Sequence, residues 1–179
     1  MYRGKYRSIE VTVGPAYWPA FASAAGLLLV QTMFSPYLAF RGAVPSLVTI
    51  PVVLYCLRVG ARRGARLALP IGLLEDIFAG TGGAWTLSYT LLAMGCGSIT
   101  GRFFADGVVV PSLFVGLAVI VRSALFWVIM AAEGYPRGYG NVHLHAALES
   151  GALTAVYAFV YLLFRSRYGG EPTRIERYT

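Results

Sequence analysis

The sequence predicts an all-α integral membrane protein, folded as a bundle of six transmembrane helices. Apolar residues make up 57% of the 179-residue chain, and they fall in long runs that a small soluble core could not bury. The runs are continuous, which favours helices over a β-barrel because barrel strands alternate apolar and polar residues. Several runs also approach the roughly 20 helical residues that cross a bilayer. Short connections leave no room for a soluble domain.

Six candidate spans divide the chain. The second, third and fourth are short, but each can extend through neighbouring Gly, Ala and Arg residues, whose charged heads reach the membrane interface. The helical domain is expected to cover residues 16–165, with an N-terminal tail at residues 1–15 and a C-terminal tail at residues 166–179. The predicted spans are residues 16–34, 44–57, 67–79, 85–99, 108–132 and 144–164.

The basic residues are distributed unevenly between the two sides of the predicted spans. With the N-terminus placed in the cytoplasm, twelve of the 15 basic residues lie on that side, two lie outside, and Arg122 lies within a span. This positive-inside bias predicts an inner (cytoplasmic) membrane protein whose two termini are both cytoplasmic. It also explains the net charge of +7 by contact with anionic lipid headgroups rather than nucleic acid. The predicted topology anchors are Arg58, Arg62, Arg63 and Arg66.

Four ionisable residues within the spans require a partner or a function, because each costs at least about 2.5–3.5 kcal/mol to insert. Glu75 and Asp76 lie near the outer end of the third span, Arg122 in the fifth and Glu149 in the sixth. Since adjacent helical residues diverge by about 100°, only one of the first two is expected to face the interior. We expect Arg122 to pair with Asp76 or Glu149 as a structural charge lock. Partner contact and a transport pathway are the alternatives.

Small residues supply the candidates for contact with a partner protein. Ala16, Ala20 and Ala24 form a stripe at helical spacing, which either packs inside the bundle or docks another membrane protein. The glycine-rich turn at residues 80–83 lacks the Lys-Ser/Thr of a phosphate-binding loop, so a sharp turn between two helices explains it better. The predicted partner-contact residues are Ala20, Ala24, Glu75, Gly80, Gly82 and Gly83.

The residues predict neither an enzyme nor a metal site or cofactor. His143 and His145 are two positions apart, so they point to different faces of a helix, and no cysteine or third histidine joins them. No serine has a nearby His–Asp pair, and Glu75 and Asp76 lack the facing geometry of an acid–base couple.

A series of short motifs runs in order from residue 27 to residue 102. They are residues 27–31, 42–45, 54–60, 64–80, 87–89 and 101–102. The most specific is the run Gly-Leu-Leu-x-Asp-x-x-x-Gly at residues 72–80. In order and spacing these motifs resemble the MreD family of bacterial rod shape-determining proteins. The resemblance covers somewhat under half of the chain, and the remaining spans are similar only in hydropathy and number.

The resemblance implies a non-enzymatic scaffold subunit of the cell-elongation (rod) complex, or elongasome. Family members bind the single-span protein MreC and, through it, the actin-like MreB filament and the peptidoglycan synthase RodA with its transpeptidase. The six-helix form is also similar to the S components of energy-coupling-factor vitamin transporters, and uptake of a small molecule is therefore the alternative function. Directly after the proline at the start of the second span, the family tends to have Asp or Asn. This chain has Ser46 there, and a serine can still cap the second helix.

Overall fold

A computed structural model describes residues 17–40, 42–99 and 107–168, and the regular elements within these ranges are all helices. The prediction of six α-helices is confirmed for this part of the chain. The predicted N-terminal tail lies outside the described residues, as does the C-terminal tail beyond residue 168. The helices are α1 (Tyr17–Leu38), α2 (Thr49–Val59), α3 (Ala61–Ala79), α4 (Ala84–Ile99), α5 (Val109–Ala132) and α6 (Gly140–Tyr168), with a 3₁₀ turn at Arg137–Tyr139 before α6.

The six helices differ in their ability to cross a membrane. By length and composition, α1, α5 and the Gly140–Arg167 part of α6 are long and apolar enough to do so. The helix α2 has 11 residues, which gives a length of about 16 Å at 1.5 Å per residue. That is roughly half of the hydrocarbon thickness of a bilayer. The bundle therefore combines three long helices with three shorter or more polar ones.

The second predicted span, residues 44–57, is wrong as one continuous helix. The helix α2 begins only at Thr49, after a turn in which the amide and carbonyl groups of Phe40 and Ala43 bond to each other at 2.9 and 3.0 Å. Gly42 takes a left-handed φ of +89° within this turn, a conformation that residues with a side chain rarely adopt. The chain then enters the core as a non-helical, buried segment.

Side chains of α6 satisfy the backbone of this buried segment. Ser150 donates to the carbonyl of Val44 at 2.7 Å, and the amide of Ser46 donates to Thr154 Oγ1 at 2.9 Å. Non-helical backbone that is buried in a protein core is tolerated only when its polar groups are hydrogen-bonded. The expected helix cap by Ser46 is not formed, because its hydroxyl bonds the Thr49 hydroxyl at 2.7 Å instead.

The shortest α-helix, α2, occupies the centre of the bundle. It contacts α1, α3, α4 and α5, and eight of its 11 residues are buried. Around it, α3 pairs with α4 and α5 pairs with α6. The helix α1 lies at the edge and is held by buried Ala24 and Leu28, while most of its remaining surface, including Met33 and Tyr37, is exposed.

Glycines set the closest approaches between neighbouring helices. A Cβ atom at Gly116 of α5 would lie 2.7 Å from the carbonyl oxygen of Gly151 in α6. A Cβ at Gly72 of α3 would lie 2.6 Å from the Cα of Thr86 in α4. Helices that meet through such small residues gain dispersion contacts along their backbones. Both helix pairs therefore depend on the absence of a side chain at these positions.

We expect Gly116→Ala to lower the free energy of unfolding by about 1–3 kcal/mol, because the new methyl group overpacks a backbone contact. Gly95→Ala is the matched control, since a Cβ there meets nothing within 4 Å. That change should be neutral or stabilise the helix by about 0.5–1 kcal/mol. Unfolding of the purified protein in detergent measures both. The packing argument would be contradicted if Gly116→Ala lowered the free energy of unfolding no more than Gly95→Ala does.

Candidate functional site

The candidate site is built around a buried ion pair between α3 and α5. Nη1 of Arg122 donates to both carboxylate oxygens of Glu75, at 2.9 and 3.1 Å. The two side chains are only 6% and 10% exposed. A buried charge that loses its partner costs about 3–5 kcal/mol. Each of these residues therefore requires the other, and together they tie two helices that both pack against α4.

Two rings of α4 flank the guanidinium of Arg122. Its Cζ lies 4.3 Å from the ring centroid of Trp85 and 4.6 Å from that of Tyr89. A desolvated cation over an aromatic face is stabilised by about 2 kcal/mol. Within the described ranges, the Nε of Arg122 is the one buried side-chain polar atom without a hydrogen-bond partner. The ring faces therefore supply part of the stabilisation that hydrogen bonds provide elsewhere.

A chain of hydroxyl groups extends the site from Tyr89 towards α6. The Tyr89 hydroxyl lies 2.9 Å from Thr49 Oγ1, which in turn contacts Ser46 Oγ at 2.7 Å. The amide of Ser46 reaches Thr154 of α6 at 2.9 Å. Buried polar networks of this kind hold their members in one arrangement when every group is satisfied. The ion pair is thus connected through α4 and α2 to the last helix.

Asp76, the neighbour of the ion pair, caps α4. Its Oδ1 accepts from the Thr81 hydroxyl at 2.5 Å and from the amide of Trp85 at 3.0 Å. Its Oδ2 accepts from the amide and the hydroxyl of Thr86, at 2.8 and 2.6 Å. The first amides of a helix have no partner within the helix, and the N-terminal dipole favours an anion. The last turn of α3 therefore supplies the cap of α4.

The predicted charge lock is wrong in its partner, because Arg122 pairs with Glu75 and not with Asp76 or Glu149. Glu149 is exposed on α6. The expectation that only one of Glu75 and Asp76 faces inward is also wrong, since they are 8% and 6% exposed. The 100° between them directs one towards α5 and the other towards the start of α4. Glu75 is buried within the chain and is therefore excluded as a partner-contact residue.

The other predicted partner-contact residues differ in exposure. Ala24 is fully buried against the core, so its assignment to an external surface is wrong. Ala20 is half-buried at the edge of α1. Gly80 and Gly82 are exposed, and Gly83 is half-buried beside them. These three glycines take φ values of +68°, +61° and +110°, which explains why a tight turn between α3 and α4 requires glycine.

The predicted topology anchors lie on helices rather than in a loop. Arg58 is in the last turn of α2, and Arg62, Arg63 and Arg66 are in the first turns of α3. Only Gly60, with a φ of +83°, separates the two helices. The arginines therefore form a compact basic end of the bundle. Arg62, Arg63 and Arg66 are exposed there, and Arg58 is half-buried.

An aromatic cavity of about 440 Å³ lies near the end of α5 and the start of α6. The ring of His143 stacks on Phe126 and Trp127, with centroids 5.8 and 5.7 Å away. Phe126 also stacks on Trp85 at 3.9 Å, so this column of rings reaches the buried cation. Tyr135 and Tyr139 also line the cavity. Sequence reasoning missed this site, although the density of aromatic residues between positions 126 and 143 was a usable signal.

Comparison of the chain with models of protein families, with curated proteins and with solved structures found no match. Its function is therefore inferred from the geometry of the site and from the sequence motifs that build it.

We expect Arg122→Met to lower the free energy of unfolding by about 3–5 kcal/mol, because Glu75 is left charged and buried. Adding Glu75→Gln to the same chain should recover most of this loss, since no unpaired charge then remains. Unfolding in detergent measures the stability of the single and double variants. Arg62→Met, on the exposed start of α3, is the control, and its free energy of unfolding should stay within about 0.5 kcal/mol of the wild-type value. Equal losses in the single and double variants would rule out the pairing as the cause.

We expect Asp76→Ala to destabilise the protein by about 0.5–2 kcal/mol, the usual cost of removing a helix cap. The start of α4 should also open more often, and faster amide hydrogen exchange at Trp85 and Thr86 would reveal this. Glu149→Ala, which removes an exposed carboxylate, is the matched control. Unchanged exchange at the start of α4 in the Asp76 variant would contradict the capping role.

Proposed function

We propose that the chain is an integral protein of the bacterial inner membrane and a non-enzymatic scaffold subunit of the cell-elongation (rod) complex. In this role it binds MreC and supports lateral peptidoglycan synthesis and rod shape, together with MreB, RodA and its transpeptidase. The proposal starts from the motifs at residues 27–102 that resemble the MreD family. It is supported by the structural roles that the residues of these motifs have in the bundle.

The observation that carries the proposal is the internal use of the most specific motif, residues 72–80. Gly72 lets α3 approach α4, Glu75 holds Arg122, and Asp76 caps α4. Gly80 ends α3 in a left-handed conformation. A catalytic or substrate-binding motif is expected to aim a polar group at an open site. These groups are instead satisfied by the chain's own donors, which favours a rigid scaffold whose shape a partner recognises.

The membrane location is supported by three long apolar helices and by the position of the charges. The four described carboxylates lie on or beyond the outer half of their helices, away from the basic end. A basic end of this kind is typical of the cytoplasmic side of inner membrane proteins. The described arginines at that end are Arg58, Arg62, Arg63, Arg66, Arg165 and Arg167.

The helix α1 is the proposed contact for the single span of MreC. Much of its surface is exposed, with Trp18 73% and Met33 71% accessible. Between them, Ala22 and Gly26 lie on an exposed face, and a Cβ at Gly26 would meet nothing within 4 Å. Small residues on a membrane helix let a second helix approach closely. The exposed Gly80 and Gly82 corner, together with half-buried Gly83, offers a further contact outside the membrane.

A second candidate, the S component of an energy-coupling-factor vitamin transporter, is favoured by the aromatic cavity. Its volume of about 440 Å³ falls within the range of roughly 300–1,000 Å³ of small-ligand sites. Stacked rings such as Trp127 and His143 suit a planar ring compound. In this reading the bundle binds its substrate at the end remote from the basic arginines.

We expect depletion of the protein in its host to turn rod-shaped cells round, because the scaffold that supports lateral wall synthesis is lost. Expression of the wild-type chain or of Arg62→Met should restore rods, whereas Arg122→Met should restore them poorly. Light microscopy measures the shape, and MreC should co-purify with a tagged copy from membranes. Rods that persist after depletion would contradict the scaffold function. A shape defect that is cured by added vitamins would also contradict it and would favour the transporter.

A further inference from the structure

The aromatic cavity at the end of α5 opens at the surface of the protein. Its volume is about 440 Å³, and its lining includes Trp127 and Met130 of α5 and His143 of α6. Two further residues of the lining, Tyr139 and Val142, are exposed. A small molecule can therefore enter the cavity from outside and reach the stacked rings of its wall.

The indole nitrogen of Trp127 is an unused hydrogen-bond donor in this wall. Trp127 is half-buried, and none of the described residues accepts a hydrogen bond from its Nε1. Within the described ranges Arg122 Nε is the one buried side-chain polar atom without a partner, so the unpaired Nε1 of Trp127 is accessible. A Cβ atom at Gly140 would lie 3.3 Å from Nε1. The glycine therefore leaves this edge of the indole uncovered.

The imidazole of His143 supplies an acceptor beside this donor. Its Nε2 lies 3.1 Å from the carbonyl oxygen of Ser123, and because a carbonyl can only accept, Nε2 carries the hydrogen. The other nitrogen, Nδ1, is then an acceptor in the neutral imidazole, and none of the described residues donates to it. The rings of His143 and Trp127 stack with centroids 5.7 Å apart and 29° between their planes. The donor and the acceptor therefore belong to neighbouring rings of one wall.

The rest of the lining favours a neutral, flat occupant. The described residues that line the cavity carry no carboxylate, ammonium or guanidinium group, so an ionic ligand would lose water without gaining a counter-charge. The hydroxyl of Thr81 already donates to Asp76. Aromatic faces attract other rings, and the sulfur of Met130 makes favourable contacts with a ring edge. A planar lactam satisfies both conditions, because its carbonyl accepts and its adjacent N–H donates.

We propose that this cavity binds a neutral heteroaromatic ring with a lactam edge. The carbonyl of the ring accepts from Trp127 Nε1, and the N–H of the ring donates to His143 Nδ1. A few polar groups in an apolar cavity fix the orientation of a ligand in this way. The inference rests on the small-ligand site of the second candidate function and names the class of its ligand. It does not depend on the scaffold function, because a scaffold can hold the same ring between α5 and α6.

The test compares two bicyclic probes that bind to the full-length protein in lipid nanodiscs, by equilibrium dialysis against empty nanodiscs. Isoquinolin-1(2H)-one carries the lactam edge, and its 2-methyl derivative keeps the rings and the carbonyl but has no N–H. The first should bind about tenfold more tightly, because the second leaves the acceptor in the cavity without a donor. Equal binding of the two probes, or tighter binding of tetramethylammonium than of the lactam, would overturn the proposal.

Two variants assign the two hydrogen bonds to their residues. His143→Phe keeps a stacked ring but removes the acceptor, so the preference for the lactam over its methyl derivative should fall from about tenfold to below about threefold. Trp127→Phe removes the donor to the carbonyl that both probes share, so both should bind about tenfold more weakly while the preference between them remains. A full preference in His143→Phe, or wild-type affinities in Trp127→Phe, would overturn the proposal.

A third variant covers the indole nitrogen and leaves both rings in place. Gly140→Ala puts a methyl group 3.3 Å from Nε1 of Trp127 and should weaken the binding of both probes several-fold. Gly138→Ala is the matched control, because a Cβ there meets nothing within 4 Å. Equal affinities in the two glycine variants would overturn the proposal even if the ring variants failed to fold. Cell shape after depletion reports on the scaffold function alone, because binding is measured on the purified protein.

Discussion

A carboxylate and a guanidinium inside a bundle of helices can be tolerated only together, and this constraint organises the centre of the protein. Glu75 and Arg122 lie on helices that are not neighbours in sequence, so their pairing determines how α3 and α5 are placed around α4. Trp85 and Tyr89 must then face the cation. Through Tyr89, the same constraint reaches the buried segment before α2 and its hydrogen bonds to α6. Such pairs specify which helices meet more than they add stability.

The two adjacent carboxylates of α3 illustrate how a single turn of helix can do two structural tasks. Glu75 reaches across to α5, while Asp76 reaches forward to the free amides of α4. Both are satisfied inside the chain, and Gly80 ends the helix where the cap begins. The residues of the motif at 72–80 thus join the three helices α3, α4 and α5. This is the property that a scaffold needs, because a partner can recognise a surface only if the helices beneath it are held in place.

The two ends of the bundle have different chemistry. Arginines concentrate at the end where α2 and α6 finish, whereas aromatic rings and His143 concentrate where α5 finishes and α6 begins. The ring column from Trp127 to Trp85 connects the aromatic end to the buried cation. In the proposed orientation, the basic end meets anionic headgroups in the cytoplasmic leaflet and the aromatic end lies near the outer surface.

The sequence by itself determined the all-helical class, the number of helices and the residues that need a partner in an apolar interior. These properties follow from composition and from the cost of isolated charges, which are local to each segment. Only the tertiary structure decided that Arg122 pairs with Glu75 and that Ala24 is buried. It also decided that residues 44–48 are not helical, because donors and acceptors on α6 satisfy that backbone in place of a helix. Such choices depend on which side chains from distant segments come within bonding distance, and helical periodicity carries no information about that.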